Sequence, residues 1–154
     1  APYPPTTLHA VSEFHSGAQI TYRARWDGWP HGHANMEHYV TDGTLHVPDP
    51  NFFGGEVRMT EPGSFVNGTP AWDHPFSHAN DKGRANYRAA GLADMVQGIL
   101  DDRPHRCSLE FALHVVDVMT SILRSGETGA FIEIATTCER PADMGIEDAR
   151  SLLV

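Results

Sequence analysis

The sequence predicts an α+β fold, with an open, mainly antiparallel β-sheet and helices packed on one face. Short segments of alternating side-chain character, separated by turn residues, fill the first half of the 154-residue chain. Two segments with helical apolar periodicity follow, and one more alternating segment comes after them. Strands that precede helices in this way are typical of the α+β class, because α/β chains alternate the two elements.

The β-structure is predicted to begin with a hairpin. Residues 6–14 and 19–25 alternate, and His15-Ser16-Gly17 supplies the turn between them. One face of the hairpin is expected to carry Leu8, Ala10, Ser12 and Phe14 from the first strand and Ile20, Tyr22 and Ala24 from the second.

Further strands are predicted over residues 35–40, 45–47 and 56–61. The Asp42-Gly43 dipeptide is a turn signal between the first two of these, and Pro48 ends the second because proline donates no ladder hydrogen bond. Residues 62–86 show no clear period. We expect a long irregular excursion there, which in a compact domain is more often functional than idle.

Two helices and a final strand are predicted in the second half. The first helix spans residues 89–100. Ser108 is the expected N-cap of the second, which starts at Leu109, carries a wide apolar stripe suited to packing on a sheet, and ends at Gly126 and Gly129. Residues 131–137 are predicted to form the last strand.

Charge and composition disfavour several classes of function. The net charge of −9 disfavours binding to nucleic acids or anionic membranes, since both require a dense basic surface. No apolar run approaches the ~20 residues that span a bilayer, and no basic-then-apolar leader is seen. Cys107 and Cys138 are predicted to be free thiols, and a cytoplasmic location is expected.

Several stretches, in the expected order, resemble the C-terminal domain of the glucose–fructose oxidoreductase / inositol dehydrogenase family of NAD(P)-dependent enzymes. They are residues 14–18 (FHSGA), 41–55 (TDGTLHVPDPNFFGG), 87–95 (YRAAGLADM), 103–108 (RPHRCS), 114–119 (HVVDVM) and 136–141 (TTCERP). The resemblance implies one domain over residues 1–154, preceded in the parent protein by a Rossmann domain. It also implies hydride transfer between NAD or NADP and a sugar, polyol or related hydroxyl compound.

The catalytic and cofactor motifs of that family have no counterpart in this sequence. It contains no Gly-x-Gly-x-x-Gly after a strand, no Glu-Lys-Pro and no Asp-x-Gly-x-His motif. We therefore expect the catalytic residues to lie upstream of Ala1, and the isolated chain to bind no NAD or NADP and to be inactive. Its expected partners are its own Rossmann domain, a sugar-like substrate and further copies, in a homodimer or tetramer formed through the open sheet face.

The best candidates for substrate binding precede the first predicted helix. Asn86, Tyr87 and Arg88 stand at its start, where a helix favours anionic or hydroxyl-rich ligands and arginine offers paired hydrogen bonds. The alternative is structural: Tyr87 packs on the sheet and Arg88 pairs with a surface carboxylate.

Histidines provide a second set of candidates. His74 and His78 lie in the irregular excursion, where they could act as acid/base groups over the cleft, whereas His114 is expected to be a hydrogen-bonded histidine of the core. A metal site at His31, His33 and His38, or at His74 and His78, is disfavoured, because no cysteine is near either group and no glutamate has the His-Glu-x-x-His spacing.

Five aromatic residues could stack on a sugar ring, among them Trp26 as a substrate-binding candidate. The set is Trp26, Trp29, Phe52, Phe53 and Trp72. We favour the alternative that they fill the core and a subunit interface.

For the whole chain, the alternative to an enzyme domain is a stand-alone ligand-binding or assembly module, and the sequence encoded upstream of Ala1 discriminates between the two.

Overall fold

The computed structural model describes residues 5–29, 32, 35–64, 68–80 and 83–153. Six strands, three α-helices and two short 3₁₀ turns are assigned in this part of the chain. Every strand pairing in it is antiparallel, in one sheet of two strands and one of four. The predicted α+β class is therefore confirmed.

Two compact units make up the chain. The first consists of the described residues within 1–32 together with 117–134, and the second of those within 33–116 and 135–154. Each is described by itself below.

The hairpin of the first unit matches the predicted pattern. Strand β1 (Thr7–Glu13) pairs with β2 (Gln19–Arg25) in a register that sets Leu8 opposite Ala24 and Ala10 opposite Tyr22. These four side chains are half-buried while their neighbours along each strand are exposed, as the period of two requires. Gly17 has φ 86° in the turn, a conformation that glycine adopts without strain.

The four-stranded sheet of the second unit has the order β3-β4-β5-β6. Its strands are β3 (Met36–Val40), β4 (Gly43–Val47), β5 (Arg58–Thr60) and β6 (Thr69–Pro70). A tight turn joins β3 to β4 as predicted, but Thr41 and Asp42 form it, and Gly43 begins β4. Gly43 is required by space, because a Cβ there would lie 2.3 Å from the Thr60 carbonyl oxygen.

The helices are α1 (Ala90–Leu100), α2 (Leu109–Thr128) and α3 (Ile146–Ser151). Ser108 caps α2 as predicted, because its Oγ accepts a hydrogen bond from the Phe111 amide at 3.1 Å. The predicted end at Gly126 is wrong: the helix continues to Thr128, and Gly129, with φ 66°, provides the left-handed residue that ends it. Helix α3 was not predicted.

Two other expectations about the second half are corrected. Residues 131–137 form neither strand nor helix, since no described strand pairs with them. The apolar stripe of α2 is not covered as expected: Leu109, Leu113 and Met119 are exposed, and the half-buried side chains lie on an adjacent face that includes Phe111 and Ile122.

The core of the second unit is small and contains one charged residue. Phe76, Ala90 and Ala149 are buried, with Tyr87 and Met144 packed against them. Asp94 of α1 is 2 % exposed. Among the described residues, no helix combines the length and the apolar character that crossing a membrane requires.

Candidate functional site

Five of the six predicted substrate-binding residues lie in the second unit; four of them form a cluster with Phe76, and the fifth, Asn86, precedes Tyr87 in the chain. We call the group formed by His74, Phe76, His78, Tyr87 and Arg88 the Tyr87 cluster. It is built from two 3₁₀ turns, Pro50–Phe52 and Pro75–Ser77, and from the segment that leads into α1. Trp26, the sixth candidate, belongs to the first unit and is 74 % exposed.

Backbone contacts hold this arrangement. The Tyr87 amide donates to the Phe52 carbonyl, and the Gly55 amide donates to the Phe76 carbonyl, both at 2.8 Å. Gly54 allows the close approach, because a Cβ on it would lie 2.6 Å from Tyr87 Cδ2 and 2.8 Å from the Phe76 oxygen. A side chain at position 54 would therefore displace the tyrosine.

The aromatic rings of the cluster pack around Phe76. The Tyr87 ring stacks on it at 4.7 Å between centroids with an interplanar angle of 20°, and the His74 ring meets it edge-on at 5.4 Å. Tyr87 Oη donates to the His78 carbonyl at 2.8 Å. The structural alternative expected Tyr87 to pack on the sheet. Its ring packs instead on the buried Phe76.

Both ring nitrogens of His74 are used by the main chain. Nδ1 accepts from the Phe76 amide at 3.2 Å, which places the proton on Nε2, and Nε2 lies 3.2 Å from the Met144 carbonyl, to which it donates. An imidazole held in this way ties the 3₁₀ turn to the segment before α3. His74 is therefore better suited to positioning the cluster than to exchanging protons.

His78 is the more accessible of the two histidines. Its Nε2 lies 2.6 Å from Asp73 Oδ1, and the two side chains are 67 % and 86 % exposed. A carboxylate that accepts from one imidazole nitrogen orients the ring and fixes its tautomer, the arrangement found in acid/base pairs. His78 can therefore hydrogen-bond or exchange a proton with a bound molecule.

Arg88 is held by a carbonyl and a ring. Its Nε donates to the Asn51 carbonyl at 2.6 Å, and its Cζ lies 5.2 Å from the centroid of the Phe52 ring. No carboxylate among the described residues forms an ion pair with it, so the surface pairing considered as an alternative is not found there. Asn86 is exposed beside it, and its carbonyl accepts from Asn80 Nδ2 at 3.1 Å.

Of the remaining sequence candidates, Phe52 contacts Arg88, and the Phe53 ring lies 6.2 Å from the ring of Phe76 between centroids. Trp29 and Trp72 are exposed, as Trp26 is, so the three tryptophans fill no core in the described structure. His114 is half-buried and bonded to Thr136 Oγ1 at 3.0 Å, as expected of a satisfied histidine.

Groups of metal-ligating side chains are not found in the described ranges. No three or more histidine, cysteine, aspartate or glutamate side chains stand close enough to hold an ion there. His38 Nε2 lies 3.2 Å from Met36 Sδ, and His31 and His33 fall outside the described residues. Cys107 and Cys138 are not joined to each other.

Sequence reasoning missed a buried ionic centre at Asp94. Its carboxylate accepts from the Arg106 amide at 2.8 Å, from Arg106 Nη1 at 2.6 Å and from Arg103 Nη2 at 3.1 Å. Burial alone would raise the pKa of Asp94, but these bonds and the charge of Arg106 outweigh it and hold the pKa below the usual 3.8. The available signal was an acid in the small-residue stripe Ala90, Asp94, Gly98, with arginines soon after it.

The Asp94 centre joins three segments beside a cavity. Arg106 also bonds to the Ala142 and Asp143 carbonyls and pairs with Asp148 of α3. The cavity measures about 470 Å³, and Arg103, His105 and Arg140 are among the residues that line it. Carboxylates accompany the arginines there, so the lining has no marked preference for anions.

The four-stranded sheet carries a chain of polar side chains on one face. Tyr39 Oη donates to Glu37 Oε2 at 2.7 Å, Glu37 Oε1 accepts from His46 Nδ1 at 3.2 Å, and His46 Nε2 lies 3.0 Å from Thr60 Oγ1. The hydrogen bond to Glu37 and its negative charge raise the pKa of Tyr39 above 10.0. The opposite face carries Met36, Leu45 and Met59.

Comparison of the chain with protein-family models, curated proteins and solved structures found no match.

Proposed function

We propose that this chain is the C-terminal, substrate- and partner-facing domain of an NAD(P)-dependent oxidoreductase that acts on a sugar, a polyol or a related hydroxyl compound. In this proposal a Rossmann domain of the same protein binds the dinucleotide and contributes the residues that carry out hydride and proton transfer. In this proposal the 154-residue chain supplies a wall of the substrate cleft and an interface, without activity of its own.

The proposal rests on a contact at the Tyr87 cluster between two of the stretches that resemble the oxidoreductase family. Residues 41–55 and 87–95 are separated in sequence, yet the Tyr87 amide bonds to the Phe52 carbonyl and Arg88 Nε to the Asn51 carbonyl. Segments that are distant in sequence but in contact in the fold can together line one binding site, which supports the proposal.

The chemistry of the cluster suits a hydroxyl-rich ligand. Arg88 is fixed through Nε, so its terminal nitrogens are the groups that would donate paired hydrogen bonds to neighbouring oxygens of the substrate. The exposed amide of Asn86 and the His78 imidazole would add a donor or an acceptor each. Asp73 would act as a positioning residue for His78.

Exposed apolar surface supports the partner-facing part of the proposal. Leu113 and Met119 of α2 are 56 % and 60 % exposed, and Met36 and Val40 lie exposed on one face of the four-stranded sheet. Large apolar side chains left exposed on one face of a helix or a sheet are unfavourable in water, and interfaces typically cover such side chains. A homodimer or tetramer formed through the sheet face would cover Met36 and Val40.

The proposed activity is tested on the complete product of the gene that encodes this chain. We expect about 130 to 200 upstream residues with a Gly-x-Gly-x-x-Gly unit between a strand and a helix. The purified product should reduce NAD or NADP with at least one member of a panel of sugars and polyols. Arg88→Ala should raise KM by about tenfold, as loss of one charged hydrogen-bonding group predicts, whereas Arg124→Ala on α2 serves as the control.

Two results would contradict this proposal. One is an upstream sequence without a dinucleotide-binding unit, which would favour a stand-alone ligand-binding or assembly module. The other is a complete product that has the unit but loses no substrate affinity on Arg88→Ala, which would remove the Tyr87 cluster from the site. Light scattering tests the interface, since a strictly monomeric protein at high concentration would contradict the oligomer.

A further inference from the structure

The outer edge of β1 has no strand beside it in the described structure. All seven residues of β1, Thr7–Glu13, pair with β2 on one side, and no other described strand pairs with them. An unpaired edge presents a row of amide and carbonyl groups that another strand can bond.

The segment after α2 has the side-chain pattern of a strand but no strand partner. Ile132 and Ile134 are half-buried, whereas Phe131 and Glu133 are exposed, and this alternation continues to residue 138. An exposure period of two is characteristic of a strand with one covered face. Within the described chain, the backbone of residues 131–134 makes no backbone hydrogen bond.

Strand β1 and residues 131–134 line one cavity in the first unit. The cavity measures about 1200 Å³ and is lined by β1, by the second half of α2 and by residues 129–134. Its half-buried apolar side chains come from all three segments, and they are Leu8, Ala10, Val118, Ile122, Ile132 and Ile134. Because the cavity is open to solvent, these apolar side chains lack packing partners and stay in contact with water, which is unfavourable.

We infer that residues 131–134 form a strap that adds to the free edge of β1 as a third strand and closes this cavity. In the closed form Ile132 and Ile134 share a sheet face with Leu8 and Ala10, beneath Val118 and Ile122 of α2. Phe131 and Glu133 then occupy the opposite face.

The connection to α2 suits such a movement. Gly129 ends the helix with φ 66°, and its amide donates to the Ser125 carbonyl at 2.8 Å. Ser125 Oγ donates to the Ala130 carbonyl at 2.7 Å, so the base of the strap is fixed while residues beyond it change position. A tethered segment also reaches the edge at a high effective concentration, which a free ligand or a second copy does not have.

Engineered cysteine pairs test the closed form directly. Side chains on the same face of adjacent strands have Cβ atoms about 4.5–5.5 Å apart, near the range that a disulfide bridges. With Cys107→Ser and Cys138→Ser as background, Ala10→Cys is combined with Ile132→Cys or Ile134→Cys. Ala10→Cys with Glu133→Cys is the matched control, because Glu133 lies on the other face.

We expect an intramolecular disulfide in at least one same-face pair under mild oxidation, while the control pair stays reduced. Equal oxidation of all pairs, or no disulfide in any, would overturn the inference. Disulfides formed only between molecules would overturn it too, since a second copy would then occupy the edge.

Hydrogen exchange of the unaltered chain provides an independent measurement. Amides of residues 131–134 that bond to β1 should exchange at least about tenfold more slowly than unprotected ones. Exchange at the unprotected rate would contradict the strap. Protection that arises only after addition of anilinonaphthalene sulfonate would show instead that the cavity takes an apolar ligand.

Discussion

Replacing Asp94 with asparagine is expected to cost about 3 kcal/mol of folding free energy. The side chain is 2 % exposed and accepts three hydrogen bonds, two of them from guanidinium groups. Asparagine keeps the volume but removes the charge, and its amide nitrogen would face donors. Breaking a buried ion pair by removing one partner costs about 3–5 kcal/mol.

The lower end of that range applies because the arginines are not left without partners. Arg106 retains Asp148 and two carbonyls, and the side chain of Arg103 is 37 % exposed. For a chain of this size, about 3 kcal/mol corresponds to a fall of about 6–12 °C in Tm. Asp143→Asn is the control, since that carboxylate is 79 % exposed in its pair with Arg140 and should contribute at most about 1 kcal/mol.

The loss of folding free energy caused by Asp94→Asn depends on pH with a definite sign. The folded-state pKa of Asp94 lies below its ordinary value of 3.8, so the carboxylate stabilises the fold fully above that value. The stabilisation is lost as the pH falls below 3.8 through the folded pKa. Urea unfolding of the unaltered protein and of Asp94→Asn between pH 7 and pH 3 measures this loss. An Asp94→Asn effect that stays constant across this range, or one no larger than the effect of Asp143→Asn, would refute the reasoning.

Four further substitutions test the packing by the same urea measurement. Gly91→Ala in α1 should stabilise the fold by about 0.5–1 kcal/mol, because a Cβ there meets no atom within 4 Å. Gly98→Ala should destabilise it by about 1 kcal/mol, because its Cβ would lie 3.0 Å from the Arg103 carbonyl oxygen. Equal effects of the two substitutions would contradict this. Gly54→Ala should cost about 2 kcal/mol or more by displacing Tyr87, and an unchanged midpoint would show that the ring can move away freely. Ser108→Ala should cost about 1 kcal/mol through loss of the cap of α2, and no loss would mean that another group satisfies the Phe111 amide.

Elements governed by local chemistry were predictable from the sequence. The alternation of Leu8 and Ala10 follows from the period of a strand, and the turn before Gly43 and the cap at Ser108 follow from the conformations and hydrogen bonds those residue types favour. Helix α3 left only a weak signal, with Glu147 and Asp148 in its first turn and Arg150 in its last.

Features that depend on distant partners were not predictable. Asp94 is buried because Arg103 and Arg106 reach it from outside α1, and no local pattern records that contact. Within the Tyr87 cluster, the exposed position of His78 follows from its place in the irregular excursion, and its role in binding stays a prediction. The role of His74 was hidden, because its partner Met144 lies 70 residues away.

Calorimetric titration with NADH and NADPH tests the division of labour between the two proposed domains most directly. The account predicts no detectable heat of binding with the isolated 154-residue chain and micromolar binding of at least one nucleotide by the complete gene product. Micromolar binding by the isolated chain, or none by the complete product, would contradict it.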